Sequence, residues 1–108
     1  MNDWMHIGTV DDIPYLEGRT IRIGDRRIAV FRLDGGFAAT DAACPHAGGP
    51  LADGIVADAC VTCPLHNRRF DLTTGAAVNG PESVAVHEVE VRGGELWLRL
   101  AAPVALAA

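Results

Sequence analysis

The sequence predicts an all-β fold built from antiparallel strands, and three observations predict it. The composition is rich in turn formers, the regular segments are short and strand-like, and a long irregular insert separates them. Among 108 residues there are 12 glycines and six prolines, with 49% hydrophobic and 21% charged residues. That balance supports one buried core and many tight turns, and it fits a β domain better than a helix bundle.

The elements follow in chain order. Val10-Asp11-Asp12-Ile13-Pro14-Tyr15 hints at a helical turn. Arg19-Thr20-Ile21-Arg22-Ile23 alternates polar with apolar, the period of a half-buried strand. Arg27-Ile28-Ala29-Val30-Phe31-Arg32-Leu33 is β-branched and aromatic enough for a second strand. Asp34-Gly35-Gly36 offers the positive-φ positions of a tight turn into Phe37-Ala38-Ala39-Thr40. Near the end, Val84 to Arg92 and Leu96 to Leu100 flank Gly93-Gly94, which predicts a hairpin. Leu96, Leu98 and Leu100 share a face opposite Trp97 and Arg99, whereas Val84 and Val86 are out of phase with Val89 and Val91. A bulge near His87-Glu88 would repair the slip.

Residues 41–82 change character: all three cysteines and two of the four histidines lie here, with weak alternation until Arg69-Phe70-Asp71-Leu72. A loop-rich insert of this length in a small β domain points to a binding role. One domain over 1–100 is expected, with a loop-rich subdomain at about 43–73 and a C-terminal tail at 101–108.

Nine basic against 14 acidic residues give a formal net charge of -5, which argues against a nucleic-acid binder. The start lacks a secretory pattern, and no stretch approaches the ~20 apolar residues that cross a bilayer. Three cysteines, an odd number, do not make a disulfide framework. A cytoplasmic domain with no membrane and no nucleic acid among its partners is expected.

The chemistry concentrates in Cys44-Pro45-His46 and Cys63-Pro64-Leu65-His66, separated by residues 47–62. Thiolate and imidazole suit zinc or iron–sulfur centres and not magnesium or calcium. A single tetrahedral zinc matches the ligand types. Zinc fingers, however, pair Cys with Cys and His with His, whereas each segment here offers one of each. That arrangement suits a two-iron cluster with both thiolates on one iron and both imidazoles on the other, as in a Rieske centre.

Other candidates have plainer readings. Cys60 with Cys63 spells Cys-Val-Thr-Cys, but its strand context favours a buried packing thiol. His6 and His87 stand without spaced partners and are expected on the surface or at the bulge. Gly48-Gly49 lacks the lysine and helix of a phosphate loop. Trp97 reads as core packing or, with Trp4, as a partner surface. Arg68-Arg69 reads as solvated surface or as a steering pair for an acidic partner. Ser83 and the acidic residues show no nucleophile–base pattern, so a hydrolase has nothing to stand on.

The stretch from Cys44 to Val56, followed by Cys63 to Gly75, resembles the Rieske iron–sulfur family. Asp3-Trp4, Ile7, Asp11-Asp12-Ile13-Pro14, Ala29-Val30-Phe31-Arg32 and the Cys-Pro-Leu-His-Asn wording at 63–67 resemble the small subunit of assimilatory NAD(P)H nitrite reductase. The likeness covers most of residues 3–100. It implies a Rieske-type antiparallel β sandwich and a [2Fe-2S] cluster held by Cys44, His46, Cys63 and His66, with Gly48, Gly49, Pro50 and Leu51 shaping and covering the site. It further implies one-electron transfer as the small subunit of an NAD(P)H-dependent nitrite reductase, which reduces nitrite to ammonium in nitrate assimilation. The electron partner would then be the large catalytic subunit. A free Rieske ferredoxin between a flavin reductase and an aromatic-ring dioxygenase is the alternative, and a zinc or metal-free structural module is a third. On any cluster reading, the chain is an electron-transfer subunit more than a catalyst alone.

Membrane-complex relatives carry a disulfide at positions that align with Gly49 and Leu65, so that bond is absent here. Their sulfur-facing hydroxyls fall on Arg68 and Phe70. Fewer donors to the sulfurs imply a potential in the lower part of the Rieske range of about -150 to +300 mV, with Arg68 pulling upward if its charge lies close.

Overall fold

The computed structural model describes residues 3–101. The expected tail at 101–108 lies outside them except for Ala101, as do the first two residues. Strands β1 (Met5–Thr9), β2 (Gly18–Ile23), β3 (Arg26–Leu33), β4 (Gly36–Asp41), β8 (Val86–Arg92) and β9 (Glu95–Arg99) form one antiparallel sheet in the order β1-β9-β8-β4-β3-β2. Strands β5 (Ile55–Ala57), β6 (Cys60–Thr62) and β7 (Arg69–Asp71) form a second, smaller antiparallel sheet. The fold is all-β, as expected, and among the described residues only single 3-10 turns at Val10–Asp12 and Leu51–Asp53 interrupt it. At the first of these the Thr9 amide donates to the Asp12 carboxylate at 2.9 Å, which closes the turn.

The large sheet folds over on itself where β4 meets β8 through only two residue pairs, Ala39 with His87 and Thr40 with Val86. Ile28, Val30, Ala39, Leu96 and Leu98 fill the space between its halves. The other face of β3 and β4 carries Ala29, Phe31 and Ala38, which pack against Val56, Val61 and Phe70 of the small sheet. The central ribbon is therefore buried on both sides. This is why Ile28-Ala29-Val30-Phe31 reads as a continuous apolar run and not as an alternating one. Each fully buried side chain of the size of Phe31 or Leu98 contributes about 1.5–3 kcal/mol of apolar burial.

Turn chemistry matches the sequence at Gly93 and Gly94, whose φ angles of 57° and 79° suit the two central positions of a tight hairpin. At the β3–β4 turn only Gly35 takes a positive φ, 93°, and Gly36 already pairs with Leu33 as strand. The expected bulge near His87-Glu88 is not found. Instead β8 changes partner: His87 pairs with β4, and from Glu88 onward the strand pairs with β9 without a break. The change of neighbour shifts the buried face and accounts for the valine phase slip. The register irregularity lies in β1, between His6 and Gly8.

His87 is also not on the surface. Only 3% exposed, it faces the Asp41 carboxylate at 2.8 Å through Nε2 and accepts the Ala101 amide through Nδ1 at 2.9 Å. A histidine at the seam between the half-sheets can be buried because both ring nitrogens are satisfied.

Candidate metal centre

Two loops project from the small sheet and its junction with β4, and their backbones are built alike. In the first, the Cys44 amide donates to the Gly49 carbonyl at 2.8 Å and the Gly48 amide donates back to the Cys44 carbonyl at 2.7 Å. In the second, the Cys63 amide donates to the Arg68 carbonyl at 2.7 Å and the Asn67 amide to the Cys63 carbonyl at 3.2 Å. The offsets are the same in both, and so is the left-handed residue four places after the cysteine. Gly48 has φ 75° and Asn67 has φ 58°. Glycine tolerates that conformation best and asparagine better than most residues, so each sequence suits its position. Pro45 and Pro64 each follow the cysteine, where no backbone donor is needed.

The loops bring the four candidate residues together in two layers. Cys44 and Cys63 are buried at 2% and 1% exposure, with their thiols near one another. His46 and His66 are exposed, with ring centroids 5.3 Å apart and planes at 90°. Burial pushes the Cys63 thiol pKa up, and the adjacent Cys44 adds to this. The backbone amides of Leu65 and His66 oppose the shift by donating toward the sulfur. Amides aimed at sulfur are what a thiolate ligand of a cluster requires.

The surroundings also fit. A Cβ placed on Gly49 would meet Cys63 Sγ at 2.8 Å and Leu65 Cγ at 2.9 Å, so the loops approach too closely there for any side chain. The same closeness puts the two positions that align with the disulfide of membrane-complex relatives side by side. Among the described residues no three His, Cys, Asp or Glu side chains converge on one ion, as a single zinc would require. A two-iron group asks instead for a buried sulfur pair and an outer imidazole pair.

Other expected positions resolve differently. Leu51 is fully buried beneath the loop and its amide donates to Ala42, so it supports the site more than it covers it. Leu65, 54% exposed, stands at the tip instead. Cys60 is half-buried, less enclosed than expected of a packing thiol, and remains a free cysteine. His6 packs on Trp97 and faces Glu95, and His87 lies in the seam described above, so neither joins the loops. Trp97 is partly exposed, stacked beneath Arg92 on the outer face of β9.

A brace behind the second loop was not anticipated from sequence. Asn79 donates through Nδ2 to the Asn67 carbonyl at 3.0 Å and accepts the Arg69 amide at 2.9 Å. Arg68 turns toward Glu82, with Nε and Oε1 3.0 Å apart. Those two atoms lie off the line of a good hydrogen bond, and the pair's hydrogen bond runs instead from Arg68 Nη2 to Glu82 Oε2 at 3.4 Å. Gly80 leaves no room for a side chain beside the guanidinium, where a Cβ would fall within 2.5 Å of Arg68 Cζ. The signal in the sequence was Asn79-Gly80, a turn pair ten or more residues from the loop it braces.

Comparison with known proteins agrees with this geometry. The Rieske [2Fe-2S] domain model matches residues 3–90. The anthranilate 1,2-dioxygenase ferredoxin subunit of Burkholderia cepacia is 33% identical, over 87% of this chain and 89% of its own. The ferredoxin–oxygenase complex of carbazole 1,9a-dioxygenase contains a chain that superimposes with a TM-score of 0.82 at 27% identity, covering 95% of this chain and all of that one. A Mycobacterium tuberculosis protein assigned as an NADH-dependent nitrite reductase small subunit gives a TM-score of 0.82 at 28% identity, over 92% of this chain and 96% of that one.

This chain belongs to the Rieske [2Fe-2S] domain family. Its cofactor is a Rieske [2Fe-2S] cluster and its function Rieske-type electron transfer. Among the described residues no helix is long and apolar enough to cross a membrane.

Proposed function

We propose that Cys44 and Cys63 hold one iron of the cluster and His46 and His66 the other. We further propose that the domain passes single electrons within an NAD(P)H-dependent nitrite reductase, as its small subunit. The paired loops carry the ligand reading: two sulfurs lie buried together and two imidazoles lie exposed together. Bound there, the cluster supplies a one-electron couple with no open coordination position for substrate. The chain's own residues enclose the sulfurs, fix the loops by backbone bonds and leave the imidazole edges at the surface. The subunit reading rests on the Asp11-Asp12-Ile13-Pro14 opening and the Cys63-Pro-Leu-His-Asn67 loop, together with the likeness to the mycobacterial protein.

A second reading has its own support. The ferredoxin components of anthranilate and carbazole dioxygenases match over most of this chain, which favours a free ferredoxin between a flavin reductase and a ring-hydroxylating oxygenase.

Anaerobic purification, iron and acid-labile sulfide assays, and EPR after dithionite reduction test the ligand reading. Two irons and two sulfides per chain with the low average g of mixed His/Cys ligation are expected. Zinc without sulfide would overturn it. The two roles separate by reconstitution. A sirohaem-containing large subunit with NAD(P)H should form ammonium from nitrite faster with this chain present. Turnover of a ring oxygenase, with no effect on nitrite reduction, would favour the ferredoxin.

A further inference from the structure

The chain carries nine basic residues, all of them arginine, and five sit on the β2–β3 hairpin: Arg19, Arg22, Arg26, Arg27 and Arg32. Most of the nine are compensated. Arg19 pairs with Glu17, Arg26 with Asp41, Arg68 with Glu82, Arg92 with Glu90 and Arg99 with Glu88. Arg32 donates to the Val10 and Ile13 carbonyls. Among the described residues Arg22, Arg27 and Arg69 have no such side-chain partner, and two of these, Arg22 and Arg27, stand directly opposite one another across the ladder. Like charges at directly opposed positions share one face of a sheet and destabilise it. Asp25, the acid in the intervening turn, pairs with neither.

That face leads to the metal centre. Arg27 and Thr20 line an open groove of about 550 Å³ together with Arg26, Asp41, Gly48 and Pro50. Gly48 and Pro50 belong to the loop that carries His46. An acidic protein, net charge -5, thus keeps an uncompensated guanidinium, Arg27, on a groove that reaches the His46 loop, with a second, Arg22, directly opposite it on the ladder. A merely solvated surface would be more stable with one of the two arginines replaced.

We propose that this groove receives an acidic segment of the electron-transfer partner, whose carboxylates lie over Arg22 and Arg27 and relieve their repulsion. The bound segment places the partner beside the His46 loop. Charge complementarity selects an acidic protein segment as the occupant. This inference rests on the cluster reading given above.

The test uses the full, cluster-loaded chain and its R22Q/R27Q variant. Relief of repulsion should leave the variant's melting temperature equal to or above that of the parent. The reduced protein is then oxidised by iron(III)–EDTA, an anion, or by hexaammineruthenium(III), a cation, at about 10 mM and 150 mM ionic strength, where the Debye length is about 30 Å and 8 Å. The net charge alone predicts that the anion reacts more slowly at low salt. The groove predicts the reverse, an acceleration of threefold or more that the variant loses, and hexaglutamate should inhibit the parent but not the variant. Rates that follow the net charge in both proteins would overturn the proposal, as would failure of hexaglutamate to inhibit. Stronger inhibition by a short DNA duplex than by hexaglutamate would also overturn it and point to nucleic acid. Loss of iron and sulfide from the parent would count against the cluster reading. An intact cluster with salt behaviour unchanged by the substitutions would remove only the groove.

Discussion

Replacing Gly49 with alanine tests the close approach of the two loops. The new Cβ would lie 2.8 Å from Cys63 Sγ, against about 3.4 Å for the near edge of ordinary contact, an overlap of about 0.6 Å. Leu65 Cγ, at 2.9 Å, can move aside because that side chain is 54% exposed. The sulfur cannot, because Cys63 is buried and its amide is committed to the Arg68 carbonyl. Overpacking of this kind costs about 1–3 kcal/mol. Reduced freedom of the unfolded chain returns about 0.4–1 kcal/mol. A net loss of about 1.3 kcal/mol is expected from the midpoints of these ranges, and each kcal/mol lowers the melting temperature by about 4–8 °C at this chain length. The larger effect should fall on cluster retention, because the strain bears on the sulfur proposed to hold the cluster. Gly48→Ala is the matched control: its Cβ meets nothing within 4 Å, and the φ of 75° adds only backbone strain of about 1–2 kcal/mol. Thermal melts and iron and sulfide per chain, compared for the two variants, decide the matter. Full iron and sulfide with an unchanged melt in G49A would refute the argument.

Three further outcomes follow from residues near and far from the centre. Glu82→Gln leaves Arg68 uncompensated in a pocket where both side chains are about one-fifth exposed. Its stability cost should fall between surface and buried pairs, about 1–2 kcal/mol, and potentiometry should show a higher potential than the parent's, itself below about +150 mV. His66→Cys exchanges imidazole for thiolate and should lower the potential and change the reduced EPR spectrum; an unchanged spectrum would remove His66 from the ligand set. Tyr15, the sole tyrosine, titrates above its usual value of 10.0 because the Asp34 carboxylate opposes formation of the phenolate. Asp34→Asn should bring its absorbance titration back toward 10, and no movement would show that the carboxylate does not act on it.

The strands were legible wherever one physical pattern dominated. β2 alternates because only one face is buried, and the β8–β9 hairpin announces itself through Gly93-Gly94. The two-residue turn joining β5 and β6 was not legible, because it is made by Asp58 and Ala59 at φ 53° and 59°, without a glycine. Burial of the flanking Val56 and Val61 holds it in place, a tertiary effect that no local pattern reports. The candidate site was legible as residue types at a spacing, since chemistry restricts which side chains bind soft metals. What holds the second loop was not, because Asn79 and Glu82 are distant in sequence and ordinary as residues. The misreading of β8 has a similar origin. A strand that changes neighbours midway and a bulged strand shift hydrophobic phase in the same way, and only the pairing distinguishes them.

The matching backbone bonds of the two loops bear on the rate at which such a domain can exchange charge. Each loop is closed by its own amides and carbonyls, which fix its shape from within the chain. A cluster held between loops so fixed would gain or lose an electron with little movement of the surrounding backbone, and the protein's share of the reorganisation energy would be small. On the proposed ligand set, transfer would be limited by how near a partner can bring its own centre to His46 and His66, and by how long it remains there.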